Sequence, residues 1–202
     1  MTRSRIRKQA APLQRGKDRW PAIELSRRDR RAIARHFLAL DREDRRLRFG
    51  TPSSDDWIRS YLEGIDFGRD SVFGVFDKAW QLIGVAHLGR TPEAVEIGLS
   101  VLPAHRNLGI GSSLVERAGL RARSWGVRRL IVRFAGDNGA MKHLAAKHGL
   151  ALEYDRGDVL GALDLRSSAA ALPRRTGTAA PRQNVWPTSS TSGRMCRSPE
   201  AS

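Results

Sequence analysis

The sequence of 202 residues has little cysteine, no long apolar segment and few acidic side chains. Its one cysteine, Cys196, excludes a disulfide within the chain and a zinc site built from several cysteines. The longest apolar run, Leu82–Ala86, is much shorter than the roughly 18 residues of a membrane span. The first residues also have no apolar core of the kind found in signal peptides. We therefore expect a cytoplasmic protein that has no membrane partner.

The net charge of +15 is the feature that first suggests a nucleic-acid partner. Its distribution weakens that interpretation, because residues 1–20 carry a net +6 and residues 167–202 a net +4. The charge distribution therefore argues against a nucleic-acid partner. A nucleic-acid-binding protein ranks third among the function classes, and it would show salt-sensitive binding that disappears when both ends are removed.

Composition divides the chain into three parts. Residues 1–19 are basic and show no apolar period, and residues 167–202 are rich in Ala, Pro, Ser, Thr, Arg and Gly. Neither segment can bury a core, so we expect both to be disordered. Residues 20–166 carry helix and strand patterns, and we expect them to form one domain.

The apolar spacing in residues 20–166 predicts two helices, three strands, a helix, a strand, a helix and two final strands. Ser53 and Asp56 form a capping-box pattern at the start of the second helix. The charged run 41–49 indicates a solvated helix face. This order of elements predicts a mixed α/β sheet with helices on its faces. Four aromatic residues have the spacing of core residues: Trp57, Tyr61, Trp80 and Trp125.

A glycine-rich turn, residues 106–112 (RNLGIGS), follows the third predicted strand and leads into a helix. The free N–H groups and the dipole of a helix start favour an anion, and glycine allows a phosphate to approach closely. Arg106 adds a guanidinium beside this turn. A Rossmann fingerprint is excluded because its third glycine position holds Leu114, and a Walker loop is excluded because no Gly-Lys-Ser/Thr ending is present. By spacing alone, a plain structural turn remains the alternative.

The strand VEIGLSV and the turn after it resemble the acyl-CoA loop of the GNAT superfamily of N-acyltransferases. Arg106, Gly109 and Gly111 fill the hallmark Arg/Gln-x-x-Gly-x-Gly/Ala, and Val101 and Pro103 fill the preceding Val-x-Pro. Residues 138–150 are similar to the second signature of the family, Asn-x-x-Ala-x-x-Leu-Tyr-x-x-x-Gly-Phe. The matching positions are Asn138, Leu144 and Gly149, with mild substitutions at Met141 and Leu150. The order of elements agrees over residues 21–166, and the subfamily is unassigned.

This resemblance implies an α/β, GNAT-like fold. Its mixed, mostly antiparallel sheet would have a splayed, V-shaped cleft and helices on both faces. Acetyl-CoA would be the co-substrate, and no metal would be needed. The pantetheine arm would contact strand backbone as an added strand does, and the pyrophosphate would lie on the N–H groups of the loop. The implied contacts are Leu99, Val101, Leu102, Arg106, Asn107, Leu108, Gly109, Ile110, Gly111, Ser112 and Asn138.

Catalysis would need a base that takes a proton from the acceptor ammonium. Strand alternation places Glu96, Gly98 and Ser100 on one sheet face, and the resemblance makes Glu96 the candidate general base, acting directly or through a water molecule. A solvated residue on a sheet face is the alternative, and a bulge in the strand would change the alternation. Glu93 is a weaker candidate because it lies at the turn.

The sequence departs from the family pattern at the residue that would donate a proton to the leaving thiolate. The motif tyrosine falls at Ala145, which carries no acidic proton. Tyr154, on a later strand, is a weak candidate for this acid, and a packing role is the alternative. A thiol has a pKa near 8.5, so the thiolate can also leave without a dedicated acid.

The leading interpretation is an acetyl-CoA-dependent N-acetyltransferase that acts on a primary amine of a small molecule or a protein in a ternary complex. The alternative is a non-catalytic acyl-CoA-binding sensor that has lost the acid at position 145. Because N-terminal helices often line the acceptor site in this family, Arg45, Arg46 and Arg48 would favour an acidic acceptor. The oligomeric state is open, with a homodimer among the options.

Overall fold

The computed structural model describes residues 20–91 and 94–165. Within these ranges, seven strands form one sheet in the order β1-β2-β3-β4-β5-β7-β6. Only β4 and β5 pair in parallel, and all other neighbours are antiparallel. The strands are β1 (Ile23–Leu25), β2 (Ser71–Phe76), β3 (Leu82–Arg90), β4 (Ala94–Val101), β5 (Arg129–Ala135), β6 (Ala151–Asp155) and β7 (Asp158–Asp164). The predicted mixed, mostly antiparallel sheet is confirmed.

Helices cover both faces of the sheet. They are α1 (Arg30–Leu38), α2 (Arg42–Phe49), α3 (Asp55–Glu63), α4 (Ile110–Ser124) and α5 (Gly139–Lys147). The face of β4 that carries Ser100 lies against α1, where His36 bonds the Ser100 hydroxyl. The opposite face carries Leu99, which lies near apolar side chains of α4 and α5. None of the helices in the described ranges is long and apolar enough to cross a membrane.

The β4–β5 pair separates after a short parallel ladder. The ladder joins residues 94–96 to residues 129–131, with Glu96 opposite Ile131 as its last pair. Beyond that point β4 remains bonded to β3, whereas β5 remains bonded to β7. The strands therefore open into a V, and one edge of β4 from Ile97 onward faces a gap. This agrees with the expected V-shaped cleft.

Several local predictions need correction. Strand β1 was not predicted, because three residues are too few to establish an alternating pattern. The N-cap of α3 is Ser54, which accepts the Trp57 N–H at 3.2 Å, whereas the Ser53 hydroxyl donates to the Thr51 carbonyl. The capping box expected at Ser53 is therefore wrong by one residue.

Two predictions of exposure also need correction. The charged run 41–49 does form a helix, α2, with Arg42 and Glu43 exposed, but Asp44 on its cleft side is only 8% exposed. Trp80 was expected in the core and is 80% exposed, in the β2–β3 turn. The predictions for residues 1–19, residues 167–202, Cys196 and Glu93 lie outside the described residues.

Candidate active site

A cleft of about 610 Å³ opens where β4 and β5 separate, between β4, α2, the N-terminal end of α4 and one side of α5. Most of the expected acetyl-CoA contacts line it: Leu99, Val101, Arg106, Asn107, Gly109, Ile110, Gly111, Ser112 and Asn138. Two others lie elsewhere. Leu102 is buried and its N–H donates to the Ile83 carbonyl, and Leu108 is 40% exposed outside the cleft lining.

The glycine-rich loop is shaped by left-handed backbone at Asn107 (φ 60°) and Gly109 (φ 87°). Gly109 is the N-cap of α4, and its carbonyl accepts the first helical hydrogen bond from Ser113 at 3.1 Å. By helix geometry, the earlier N–H groups of α4 have no partner within the helix and point out of its N-terminal end. A Cβ atom added at Gly109 would meet nothing within 4 Å, so the backbone there is accessible to a ligand. These features fit a phosphate.

A second helix begins at the same cleft. Asn138 caps α5, and its side-chain oxygen accepts the Met141 N–H at 3.0 Å. At the other end of α5, the Lys147 ammonium donates to the Ser112 hydroxyl at 2.9 Å, which brings a positive charge to the first turn of α4. The N-terminal end of the α4 dipole and this ammonium therefore bring positive charge to the loop at the cleft.

The Arg106 side chain is engaged by protein groups. Its Nη2 donates to Asp44 Oδ1 at 2.5 Å and its Nε donates to the Val101 carbonyl at 3.2 Å. Asp44 is 8% exposed and lies on α2. In this conformation Arg106 therefore joins the loop to α2 and encloses one side of the cleft.

Loss of this ion pair should destabilise the fold. We expect Arg106→Gln to lower the free energy of unfolding by about 1–2 kcal/mol, between the values for surface and buried pairs, because Asp44 is buried while Arg106 is 44% exposed. Urea unfolding of Arg106→Gln, Asp44→Asn and the double variant measures the coupling. A loss of unfolding free energy in the double variant equal to the sum of the losses in the two single variants would contradict an interaction between the side chains.

Glu96 is buried at the apex of the V. It is 1% exposed, and its Oε1 lies 3.6 Å from Nε of Arg133 on β5. Residues 84–90 of β3 pair with residues 95–101 of β4 in continuous register, so the predicted alternation of β4 holds. The alternative of a solvated glutamate is wrong. Glu96 does not itself line the cleft, whereas Ser100, on the same face of β4, does.

A chain of buried polar groups runs along the same sheet face. His87 Nε2 lies 3.2 Å from an Asp70 oxygen, His87 Nδ1 lies 2.6 Å from the Tyr61 hydroxyl, and Arg48 Nη2 donates to that hydroxyl at 3.2 Å. An ionised carboxylate only accepts, so Nε2 of His87 carries the proton and Nδ1 accepts from Tyr61. All the bonds then run in one direction, from Arg48 through Tyr61 and His87 to Asp70.

Burial sets the charge states of this chain. It raises the pKa of Tyr61 to about 12 and lowers the pKa of His87, so both groups are neutral at pH 7. Burial also opposes ionisation of Asp70, but hydrogen bonds from His87 and Arg69 outweigh it and lower the pKa of that carboxyl. The chain therefore joins a carboxylate to the Arg48 guanidinium through two neutral groups.

His36 on α1 holds the edge of β4 that borders the cleft. Its Nδ1 lies 2.9 Å from the Leu82 carbonyl and its Nε2 lies 2.8 Å from the Ser100 hydroxyl. Since a carbonyl only accepts, Nδ1 carries the proton and Ser100 donates to Nε2. Burial lowers the pKa of His36 to about 4, so this arrangement is the one present at pH 7.

Other expected site residues lie away from the chemistry. Tyr154 is 66% exposed on the edge strand β6 and does not line the cleft, so neither the acid role nor the packing role fits its position. Ala145 is buried among apolar side chains of α5 and β4. Arg45 bonds the carbonyls of Leu38, Leu40 and Ser53, and Arg46 pairs with Glu43 and Asp137.

Sequence reasoning missed the hydrogen-bonded roles of His36, His87, Tyr61 and Asp70. The two histidines each interrupt an apolar pattern, in IARHFLAL and in LIGVAHL, and a buried polar residue needs partners. That signal marks the histidines but not their partners. Asp70 and Tyr61 are 17 and 26 residues from His87 in the chain, and only the fold brings them together.

Comparison with known proteins identifies the class of this fold and cleft. The family model described as the acetyltransferase (GNAT) family matches residues 34–150, more than half of the chain. The chain therefore belongs to the GNAT acetyltransferase family. No curated protein sequence matches it significantly.

Solved structures of the same fold include three informative relatives. The GNAT domain of S. lividans PAT is 19% identical, with a TM-score of 0.62, over 71% of this chain and 89% of that one. Spermidine N-acetyltransferase from Vibrio cholerae, in complex with CoA and spermine, is 21% identical (TM-score 0.57, 73% and 96% coverage). A phosphinothricin acetyltransferase from Sinorhizobium meliloti, in complex with AcCoA, is 19% identical (TM-score 0.59, 77% and 93% coverage).

Proposed function

We propose that this protein is an acetyl-CoA-dependent N-acetyltransferase that transfers an acetyl group to a primary amine of a small molecule or a protein. The observation that carries the proposal is the position of the glycine-rich loop at the mouth of the β4–β5 gap, with Glu96 buried at its apex. Complexes of two relatives with CoA or AcCoA support the choice of donor. Such a donor is available in the cytoplasm, where we expect the enzyme to act.

The donor fits the residues at the cleft. N–H groups between Asn107 and Ser112 would hold the pyrophosphate, and the open edge of β4 at Leu99 and Val101 would bond the pantetheine arm as an added strand. Asn138 would lie beside that arm. When bound, acetyl-CoA supplies an activated thioester.

The proton transfers would involve Glu96. Its carboxylate would remove a proton from the acceptor ammonium through a water molecule, since Glu96 is not among the residues that line the cleft. The free amine would attack the thioester carbonyl carbon, the nitrogen would lose its second proton to solvent as the amide forms, and the C–S bond would break with no covalent enzyme intermediate. The thiolate would leave without a dedicated acid, as a thiol pKa near 8.5 allows. Tyr154 has no part in this mechanism.

The experiment is an assay of thiol release from acetyl-CoA with a panel of primary amines and amine-bearing peptides. Acetylated product detected by mass spectrometry together with stoichiometric free thiol would support the proposal. Donor binding without transfer to any amine would instead favour the second candidate, a non-catalytic acyl-CoA sensor. Ala145, in place of the motif tyrosine, is the observation that favours that candidate.

A further inference from the structure

A small apolar cavity lies beside the cleft, just beyond the point where β4 and β5 separate. Its volume is about 10 Å³, and every residue that lines it is apolar. The last pair of the parallel ladder is Glu96 and Ile131. The next residues of the two strands, Ile97 and Val132, line the cavity. Because side chains alternate along a strand, the cavity lies at the apex of the V on the β4 face opposite Glu96.

Only side chains separate this cavity from the cleft. Three residues line both spaces: Leu99, Met141 and Leu144. Met141 is half-buried, and its unbranched side chain can change rotamer without a change in the backbone. The cavity is therefore a continuation of the cleft behind a movable wall.

Ala145 on α5 keeps this space open. It lies four residues after Met141, on the same face of the helix, and it is 2% exposed. Its methyl group is the smallest side chain in the wall of the cavity. A longer side chain at this position would fill the cavity, so the size of residue 145 sets the space at the apex.

A pantetheine arm on the open edge of β4 would end beside this cavity. The arm would run from the glycine-rich loop past Val101 and Leu99 towards the apex, as an added strand does. The acceptor amine would approach from the β4 face that carries Glu96. The acyl tail, on the other side of the thioester, would then point towards the cavity.

We propose that this cavity is an acyl pocket that accommodates a donor chain longer than acetyl, so that the enzyme also uses propionyl-CoA. A cavity of this volume is about the smallest that takes a water-sized group, and its apolar lining favours a methyl group over water. The C–N bond would form at the propionyl carbonyl carbon and the C–S bond would break, with the protons leaving as in acetyl transfer. This inference rests on the proposed acyl-CoA site, and it broadens the class of donor.

The test compares propionyl-CoA with acetyl-CoA as donors to one amine. The wild-type kcat/KM for propionyl-CoA should equal or exceed that for acetyl-CoA. Ala145→Val should lower this ratio at least about tenfold, because one methylene group in an apolar pocket changes kcat/KM by roughly 10- to 200-fold. Ala146→Val is the matched control, because it adds the same side chain at an exposed position of α5 outside the cavity and should keep the ratio.

Binding is measured separately from turnover. The rise of the unfolding temperature is compared for propionyl-CoA and acetyl-CoA at equal concentrations. In the wild type the rise with propionyl-CoA should be at least as large as that with acetyl-CoA, and in Ala145→Val it should be smaller. Met141→Ala removes part of the wall, so it should increase the relative kcat/KM for butyryl-CoA.

The outcomes separate this inference from the proposed function. A lower wild-type kcat/KM with propionyl-CoA than with acetyl-CoA, or a ratio that Ala145→Val does not lower, would overturn the acyl pocket while leaving acetyl transfer intact. Failure to acylate any amine would overturn the proposed transfer, and the binding comparison would still test the pocket. If Ala145→Val does not fold, the wild-type ratio and Met141→Ala provide the test, and no gain with butyryl-CoA would then overturn the pocket.

Discussion

Replacement of Glu96 by glutamine is expected to lower kcat about 100- to 10,000-fold, the range that general base catalysis contributes. Glutamine has nearly the same shape but cannot take a proton from the acceptor ammonium. Because Glu96 lies at the apex of the cleft, away from the loop, acetyl-CoA should still stabilise the variant as it does the wild type. Thiol release measures the first effect, and thermal unfolding with acetyl-CoA measures the second.

The matched control for this variant is Glu153→Gln, which changes an exposed glutamate on the edge strand β6. It should retain wild-type turnover. Unchanged turnover in Glu96→Gln would exclude Glu96 as the base. A sensor would instead show no turnover in either the wild type or the variants while still binding acetyl-CoA.

The protein should lose stability as the pH falls from 6.5 to about 4, because the pKa of buried His36 is lowered from 6.5 to about 4. In this window the unfolded chain binds a proton at His36 and the folded chain does not, so acid favours unfolding. The shift corresponds to about 3 kcal/mol for this one residue. The lowered pKa of His87 acts with the same sign in this window, and the lowered pKa of Asp70 acts with the same sign only at lower pH, below its ordinary value of 3.8.

Urea unfolding at intervals between pH 7 and pH 4 measures this effect. His36→Gln should show a smaller fall in the free energy of unfolding over the range, whatever its stability at pH 7. His143→Gln, at an exposed position of α5, is the control and should follow the wild type. If His36→Gln and wild type lose equal stability, His36 is not held neutral by the fold.

The sheet and the cofactor loop could be predicted because their signals are local. Alternation along β4 and the Arg106-x-x-Gly109-x-Gly111 spacing depend on neighbouring residues, and the fold keeps both as predicted. Strand β1 was missed because three residues carry too little pattern. The V-shaped separation of β4 and β5 came from the family resemblance, since no periodicity encodes it.

The polar interior of the site could not be predicted because its partners are distant in sequence. The charged run 41–49 has the composition of a solvated helix, yet Asp44 is buried by Arg106, 62 residues later. The Arg48 guanidinium packs against β4 at position 98, where a glycine leaves room for it. Such tertiary contacts override the preference of charged residues for solvent. A single sequence does not reveal which distant residues will make them.

The most direct measurement is thermal unfolding with and without acetyl-CoA, with ADP and NAD as control ligands, for the wild type and for Gly109→Val. A ligand at 100 times its Kd adds about 2.7 kcal/mol of stability, so the wild-type unfolding temperature should rise clearly with acetyl-CoA and not with NAD. Gly109→Val should lose this rise for two reasons. Valine is strained at φ 87°, and its side chain would occupy the open space at the loop through which the ligand approaches the backbone. No rise for the wild type at millimolar acetyl-CoA would contradict an acetyl-CoA site in this cleft.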